Sequence, residues 1–297
     1  MFSYNEAFSR NIGWVTTAEQ AALRGKRIAI GGLGGTGGAH LTTLARMGIG
    51  AFHIADLDSF EPVNMNRQTG AFASTMGQPK IDVMARIARD INPEVELELF
   101  SEGVQTHNID AFLAGVDLYV DALDYFAFDA RKLVLRRCTE LGIPAITVAP
   151  LGMSVALVTF MPGGMTFDEY FALDAKDPFD QAVRFLVGLS PALLQRTYLA
   201  DTGRVQLGAG SGPSLAAACQ LCAGVAGVEA LKILLKRGKV IAAPHALQFD
   251  AYRQKLVKTY RPWGHRNPLQ MLARAIVRAR VGRQAPEPTT SVERRLA

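Results

Sequence analysis

A chain of 297 residues with 49% hydrophobic and 20% charged side chains has the composition of an ordinary globular protein, long enough for one large or two small domains and neither disordered nor fibrous. Its formal charge of +5 suggests a nucleic-acid partner until the charges are located: residues 251–297 hold 11 basic and 2 acidic side chains, so residues 1–250 are net negative. Three cysteines, Cys138, Cys219 and Cys222, are too few for a disulfide framework, and the polar opening MFSYNEAFSRNIGW lacks the apolar segment of a signal peptide, so a reducing, cytoplasmic setting is expected.

Residues 1–26 read as an N-terminal helical arm. RIAIGG (27–32) is a short β-branched run closed by glycines, TGGAHLTTLARMGIG then sets Leu41, Leu44 and Met47 at helical spacing, and AFHIAD (51–56) is the next strand, which together make one βαβ unit. A polar loop runs to Gln78, and Pro79 opens a helix through Asn92. EVELELF, DLYVDA, PAITVA and MSVALVTF are predicted strands, with helices near Ile109 and over 129–141. Residues 161–212 look less regular, and connections this long are usually functional; by analogy alone, their aromatic cluster (Phe167, Tyr170, Phe171) and acids (Asp168, Glu169, Asp174, Asp177) lie where substrate specificity is expected. A helix over 214–237 is apolar all round and reads as buried. HALQFDA and QKLVKTY are final strands, and PLQMLARAIVRARVG is a basic helix in a tail. The uncharged stretches 141–167 and 205–228 are broken by prolines and polar residues, so no transmembrane segment is predicted. The order of elements predicts an α/β, Rossmann-like fold: a mostly parallel sheet with helices on both faces and antiparallel strands added at the C-terminal part.

Gly32, Gly34 and Gly37, with Gly35 and Gly38 beside them, satisfy G-x-G-x-x-G between a strand and a helix, where a backbone without Cβ atoms and a helix N-terminus suit a phosphate. Asp56 follows Gly37 by 19 positions at a strand end, placed to accept from ribose hydroxyls. This unit alone fits NAD as well as ATP. A helix terminus contributes about 0.3–1 kcal/mol toward an anion and a charge-assisted hydrogen bond about 1.5–3 kcal/mol, so a triphosphate should bring further cations and a metal. Such groups follow: Asp58, Asn64, Asn66, Arg67 and Gln68 in the loop after Asp56, Lys80 in the first turn of the next helix, and Asp124, a hard oxygen ligand suited to magnesium, after DLYVDA.

Through GGLGGTGG, ADLDSFEPVNMNRQ, GQPKIDVM, VDALD and, more loosely, GVAGVEALKIL, the chain resembles the ThiF, MoeB and HesA family, bacterial relatives of ubiquitin-activating enzymes. The resemblance implies an ATP-binding adenylation domain over 27–260, followed by a basic C-terminal tail over 261–297. It implies ATP and magnesium as cofactors, and adenylation of a carboxylate with release of pyrophosphate, the carboxylate being the C-terminus of a ubiquitin-like or sulfur-carrier protein or of a peptide. By the same resemblance Asp56 holds the ribose, Arg67 and Lys80 bind the phosphates, Asp124 coordinates magnesium, and Asn64 lines the site. Arg10, in an opening segment similar to the family's, would reach the neighbouring subunit's site and make a symmetric homodimer the active form.

The chain also departs from that family. CQLC (219–222) is a single pair where many members carry two for structural zinc, and it reads as packing. No cysteine lies in 150–212 to serve as a thioester-forming thiol, and Arg131 stands seven positions after Asp124, farther than the family spacing. The five histidines form no ligand spacing. Three rival readings remain: an NAD-dependent oxidoreductase, a non-catalytic partner subunit, and adenylation of a carboxylate on modified tRNA. Deleting the residues after Tyr260 is expected to spare ATP binding.

Overall fold

Strand β1 (Arg27–Gly31) is central to the sheet, and its side chains alternate between two cores: Ile28 and Ile30 face one, Ala29 the other, all inaccessible to solvent. The computed structural model describes residues 2–174, 177–205 and 212–281. The other strands are β2 (Ala51–Ala55), β3 (Glu96–Phe100), β4 (Leu118–Asp121), β5 (Ala145–Leu151), β6 (Ser154–Phe160), β7 (His245–Asp250) and β8 (Lys255–Tyr260). They lie in the order β3-β2-β1-β4-β5-β6-β7-β8. Pairings from β3 to β5 are parallel and those from β5 to β8 antiparallel, as the sequence predicts.

Ten α-helices flank the sheet among the described residues: α1 (Tyr4–Ala7), α2 (Thr17–Arg24), α3 (Gly35–Arg46), α4 (Lys80–Ile91), α5 (Ile109–Phe112), α6 (Phe128–Leu141), α7 (Phe167–Phe171), α8 (Pro178–Leu189), α9 (Ala216–Leu234) and α10 (Pro268–Val281). One core joins Leu41 and Leu44 of α3, Met84 of α4 and Ala226 of α9 to the sheet; the other gathers Phe112, Tyr119, Phe160, Phe167, Phe171 and Phe185 on the opposite face. The arm is fastened to the body: Thr16 and Glu19 form a capping box at α2, Leu23 is buried, and the buried Tyr4 hydroxyl donates to the Gly48 carbonyl at 2.6 Å.

Three elements differ from expectation. Within the stretch read as irregular, α8 is a full helix: Asp177 accepts from the Phe179 N–H, Pro178 occupies the first turn, and Ala182, Val183 and Phe185 enter the core. Helix α9, read as buried all round, exposes Ala217, Gln220, Gly224 and Val228, while its other side packs on α3 and β5. Alanine and glycine raise its apolar score, yet they cost little to leave in water, so composition overstated its burial. By length and composition α9 could cross a bilayer, but its inner side is part of the core. Finally, the predicted basic helix forms as α10 and docks on α8 through buried Gln270 and Val277, Arg278 meeting Asp180 at 2.8 Å. The rest of the predicted tail, 282–297, lies outside the described residues, as does 206–211.

Candidate nucleotide site

The glycines after β1 do two separate jobs. Gly32, at φ +88°, donates its N–H to Ala55 at 2.8 Å, and a Cβ there would overlap the Ala122 carbonyl; a Cβ on Gly37 would overlap the carbonyl of Gly32. These two positions are dictated by backbone contact. At Gly34 and Gly35 a Cβ would instead meet side chains, Gln68 Nε2 at 3.7 Å, Cys219 Sγ at 3.0 Å and Arg67 Cγ at 3.4 Å. The loop therefore presents its backbone to a space bordered by Gln68, Arg67 and Cys219. Gly34 caps α3 without a side chain, so the first turn of this 12-residue helix has N–H groups with no side-chain cap, an arrangement that attracts anions.

Asp56, just beyond β2, closes the loop from below. Its Oδ2 accepts from the Leu33 N–H at 2.6 Å and its Oδ1 from the Asp58 N–H at 2.9 Å. Burial raises its pKa above the usual carboxylate range, against the lowering effect of those two N–H groups and of Lys80. Lys80 is buried at the start of α4, and its Nζ donates to Asp58 Oδ2 at 2.9 Å, so a carboxylate already offsets the unfavourable placement of a lysine at a helix N-terminus. Asp58 is exposed, which leaves the pair open on one side. Arg67 donates to the Val63 carbonyl and to Asn66 Oδ1, and Asn66 Nδ2 reaches the Ser214 carbonyl at 3.0 Å, joining this loop to the segment before α9. Asn64 is buried with its Oδ1 accepting from the Glu61 N–H, so it shapes the turn that carries Arg67. Gln68 Oε1 is buried without a hydrogen-bond partner, beside the glycine loop. An orphaned buried acceptor costs about 1–3 kcal/mol, and a ligand donor would relieve it.

Asp124 is exposed on the loop after β4, with Oδ1 accepting from the Phe126 N–H. Its loop is held by a residue the sequence reading left without a role. Arg131, 2% exposed, donates Nε to Asp121 Oδ2 at 2.8 Å and its other nitrogens to the carbonyls of Leu123, Asp124 and Tyr125, while its guanidinium lies 4.5 Å from the centre of the Phe185 ring. Thr147 adds a hydrogen bond to the same carboxylate. A lone arginine on the apolar stripe of α6 and an aspartate at an apolar strand end were the available signals. The wide spacing from Asp124 to Arg131 reflects this return of the arginine to the loop.

The fold thus brings Gly32, Gly34, Gly35, Gly37, Asp56, Asp58, Arg67 and Lys80 to the carboxyl edge of the parallel strands, with Asp124 on the adjacent loop. Arg10 is not among them: it is exposed on the arm and makes no ion pair with the described residues. Among the described residues of 167–177, where substrate specificity was expected, the aromatic side chains are turned inward and the acids have partners within the chain. Phe167, Tyr170 and Phe171 are buried in the second core, Asp168 and Asp174 pair with Arg136, and Glu169 and Asp177 cap helices. Cys219 and Cys222 are buried free thiols whose pKa values burial raises, and no group of three metal-ligating side chains occurs among the described residues.

A glycine-rich loop at the switch point of a doubly wound sheet, with an arginine beside it and a buried lysine nearby, defines a Rossmann-like α/β fold with a candidate nucleotide site. More narrowly, the chain belongs to the ThiF family, whose model matches residues 8–272. It is 35% identical over 142 residues to the tRNA threonylcarbamoyladenosine dehydratase of Bacillus subtilis (47% of this chain, 55% of that protein) and 32% identical over 145 residues to the SAMP-activating enzyme E1 of Haloferax volcanii (49% and 53%). The chain thus spans about half the length of the curated relatives it matches. In fold it is similar to E. coli MccB (TM-score 0.66, 18% identity, 86% of this chain and 72% of that one) and to E. coli TcdA (0.57, 21%, 78% and 95%).

Proposed function

We propose that this chain is an ATP-dependent adenylyltransferase that activates a carboxylate, the C-terminus of a ubiquitin-like or sulfur-carrier protein or of a peptide, as an acyl adenylate. The observation that carries this reading is the glycine loop and uncapped N-terminus of α3 with two cations near it: the Arg67 stem borders Gly35, and Lys80 pairs with Asp58 beside Asp56, which holds the Leu33 N–H of that loop. That E. coli MccB has been solved with ATP, and with AMPCPP together with MccA, supports ATP here.

In this reading the glycine loop and the α3 N–H groups seat the phosphates, and Arg67 and Lys80 orient them and stabilise charge as pyrophosphate leaves. Lys80 exchanges part of its bond with Asp58 for a phosphate oxygen. Asp56 keeps the loop in shape and accepts from the ribose. Asp124 is the carboxylate that would hold magnesium, and the ion would supply positive charge against that of the phosphates; one or two protein carboxylates are usual for it. The substrate carboxylate is already ionised, so no general base is needed. Cys219 borders the loop, but its buried thiol is held protonated, which favours adenylation without self-acylation. Arg10, which makes no ion pair among the described residues, acts across a homodimer, and the enzyme works in the cytoplasm. A carboxylate on modified tRNA is the second reading, favoured by the likeness to tRNA threonylcarbamoyladenosine dehydratases.

ATP–pyrophosphate exchange against candidate carrier proteins, peptides and modified tRNA tests the proposal. Lys80→Ala and Asp124→Ala should each abolish exchange while leaving the far-UV circular dichroism unchanged. Exchange retained in both variants overturns it, and calorimetric binding of NAD without binding of ATP and magnesium would return the chain to the oxidoreductases.

A further inference from the structure

Helix α10 is oriented against the usual pattern. Its docked side carries Gln270, Arg274 and Val277, and of these Gln270 Oε1 and Arg274 Nη1 are buried without hydrogen-bond partners. Its outward side carries Leu269, Leu272 and Ile276, at i, i+3 and i+7, with Met271 alongside and Trp263 just before the helix. These five side chains are between 42% (Ile276) and 68% (Trp263) exposed. At 100° per residue, Arg278 and Arg280 fall on the two flanks of that apolar arc. Residues 251–286 hold nine Lys or Arg and no Asp or Glu.

We infer that α10 is a lipid-docking element that lays Leu269, Leu272, Ile276 and Trp263 into the surface of an anionic phospholipid bilayer, with Arg266 and Arg280 at the headgroups while Arg278 stays with Asp180. An apolar arc between arginines, on a helix whose opposite side is anchored to a folded body, matches the physics of an interfacial helix. Other occupants fit less well. The remaining residues, 282–297, offer only Val292 and Leu296 as large apolar side chains, too few to cover the arc. A second copy of the helix would bring cations against cations with no acid between them. Nucleic acid would match the charge but leave five large apolar side chains in water.

Co-sedimentation of the full chain with vesicles tests this directly. The protein should pellet with vesicles of equal parts phosphatidylglycerol and phosphatidylcholine and stay in solution with phosphatidylcholine alone. Replacing two exposed residues, Leu272→Ser with Ile276→Ser, should lower partitioning at least about tenfold without changing the melting temperature. Arg266→Gln with Arg280→Gln should weaken binding and flatten its salt dependence. Failure to pellet with the anionic vesicles overturns the inference, as does undiminished binding by the serine variant. A concentration-dependent dimer in light scattering that the serine variant abolishes would assign the face to a second copy instead, and also overturn it.

Discussion

At the glycine loop, in the parallel half of the sheet, backbones approach closely: Gly37 against the Gly32 carbonyl, and Gly32 against that of Ala122. Around β6, in the antiparallel half, rings pack on one another. Phe160 lies 5.8 Å from Phe167 and 6.1 Å from Tyr170, and Phe171 lies 5.1 Å from Phe185, centre to centre. Backbone contact spares the side chains and N–H groups at the strand ends for a ligand, and leaves one of them, Gln68, unsatisfied. Ring contact consumes its side chains and yields apolar burial, about 25 cal/mol per Å². The glycine-loop side leaves polar groups open to a ligand, and the surroundings of β6 are filled by apolar packing.

Arg131 links the halves, reaching from the Asp124 loop to the Phe185 ring, and removing it is the largest available break. Arg131→Leu leaves Asp121 buried and unpaired and should cost about 3–5 kcal/mol in urea unfolding. Asp121→Asn with Arg131→Met should recover most of that loss; a single-variant cost below about 1 kcal/mol would dissolve the link. His40 comes next. It is inaccessible, and burial lowers its pKa to about 4 against the raising effect of the nearby Val148 backbone. Between pH 6.5 and about 4 the unfolded chain takes up a proton there that the folded chain refuses, so stability falls as pH falls, by about 3 kcal/mol across that window. His40→Leu should flatten this slope and lose little at pH 7, and an unchanged slope would count against it. Gln68→Leu sharpens the comparison from the other side: stability should hold or rise by about 1 kcal/mol while ATP affinity drops about tenfold. Equal losses in both would make Gln68 structural. The smallest effect is expected from ending the chain after Val281, within about 0.5 kcal/mol by thermal melting. Ending it after Tyr260 would strip α10 from α8 and should cost stability there, while ATP binding is expected to be spared.

All eight strands were legible because each combines a short apolar run with a glycine, proline or polar boundary, and the glycine loop announced its neighbours through fixed spacing. Legibility fails where a residue's partner is distant. Phe167, Tyr170 and Phe171 carry no local mark that Phe160 and Phe185 will cover them, so an aromatic cluster read as a substrate surface. Arg131 shows the same limit, since its main partner lies ten residues back across a turn. Helix α8 was readable in retrospect from Asp177-Pro178 and the apolar Ala182, Val183 and Phe185, but the length of the segment drew attention away from it.

The order of the strands also sets where chain entropy is spent. In the β5–β6 hairpin Leu151 stands opposite Ser154, so only two residues form the turn, whereas pairing β1 with β4 encloses everything from residue 32 to residue 117. Closing the longer loop is the costlier step, and it is the one that assembles the nucleotide edge. A nucleotide held by the loop at 32–37, by Arg67 and by Lys80 would bridge segments far apart in sequence and so act as a non-covalent cross-link. At a hundred times its dissociation constant it would add about 2.7 kcal/mol to folding. Cellular ATP would then govern how long the folded chain survives as well as how fast it works.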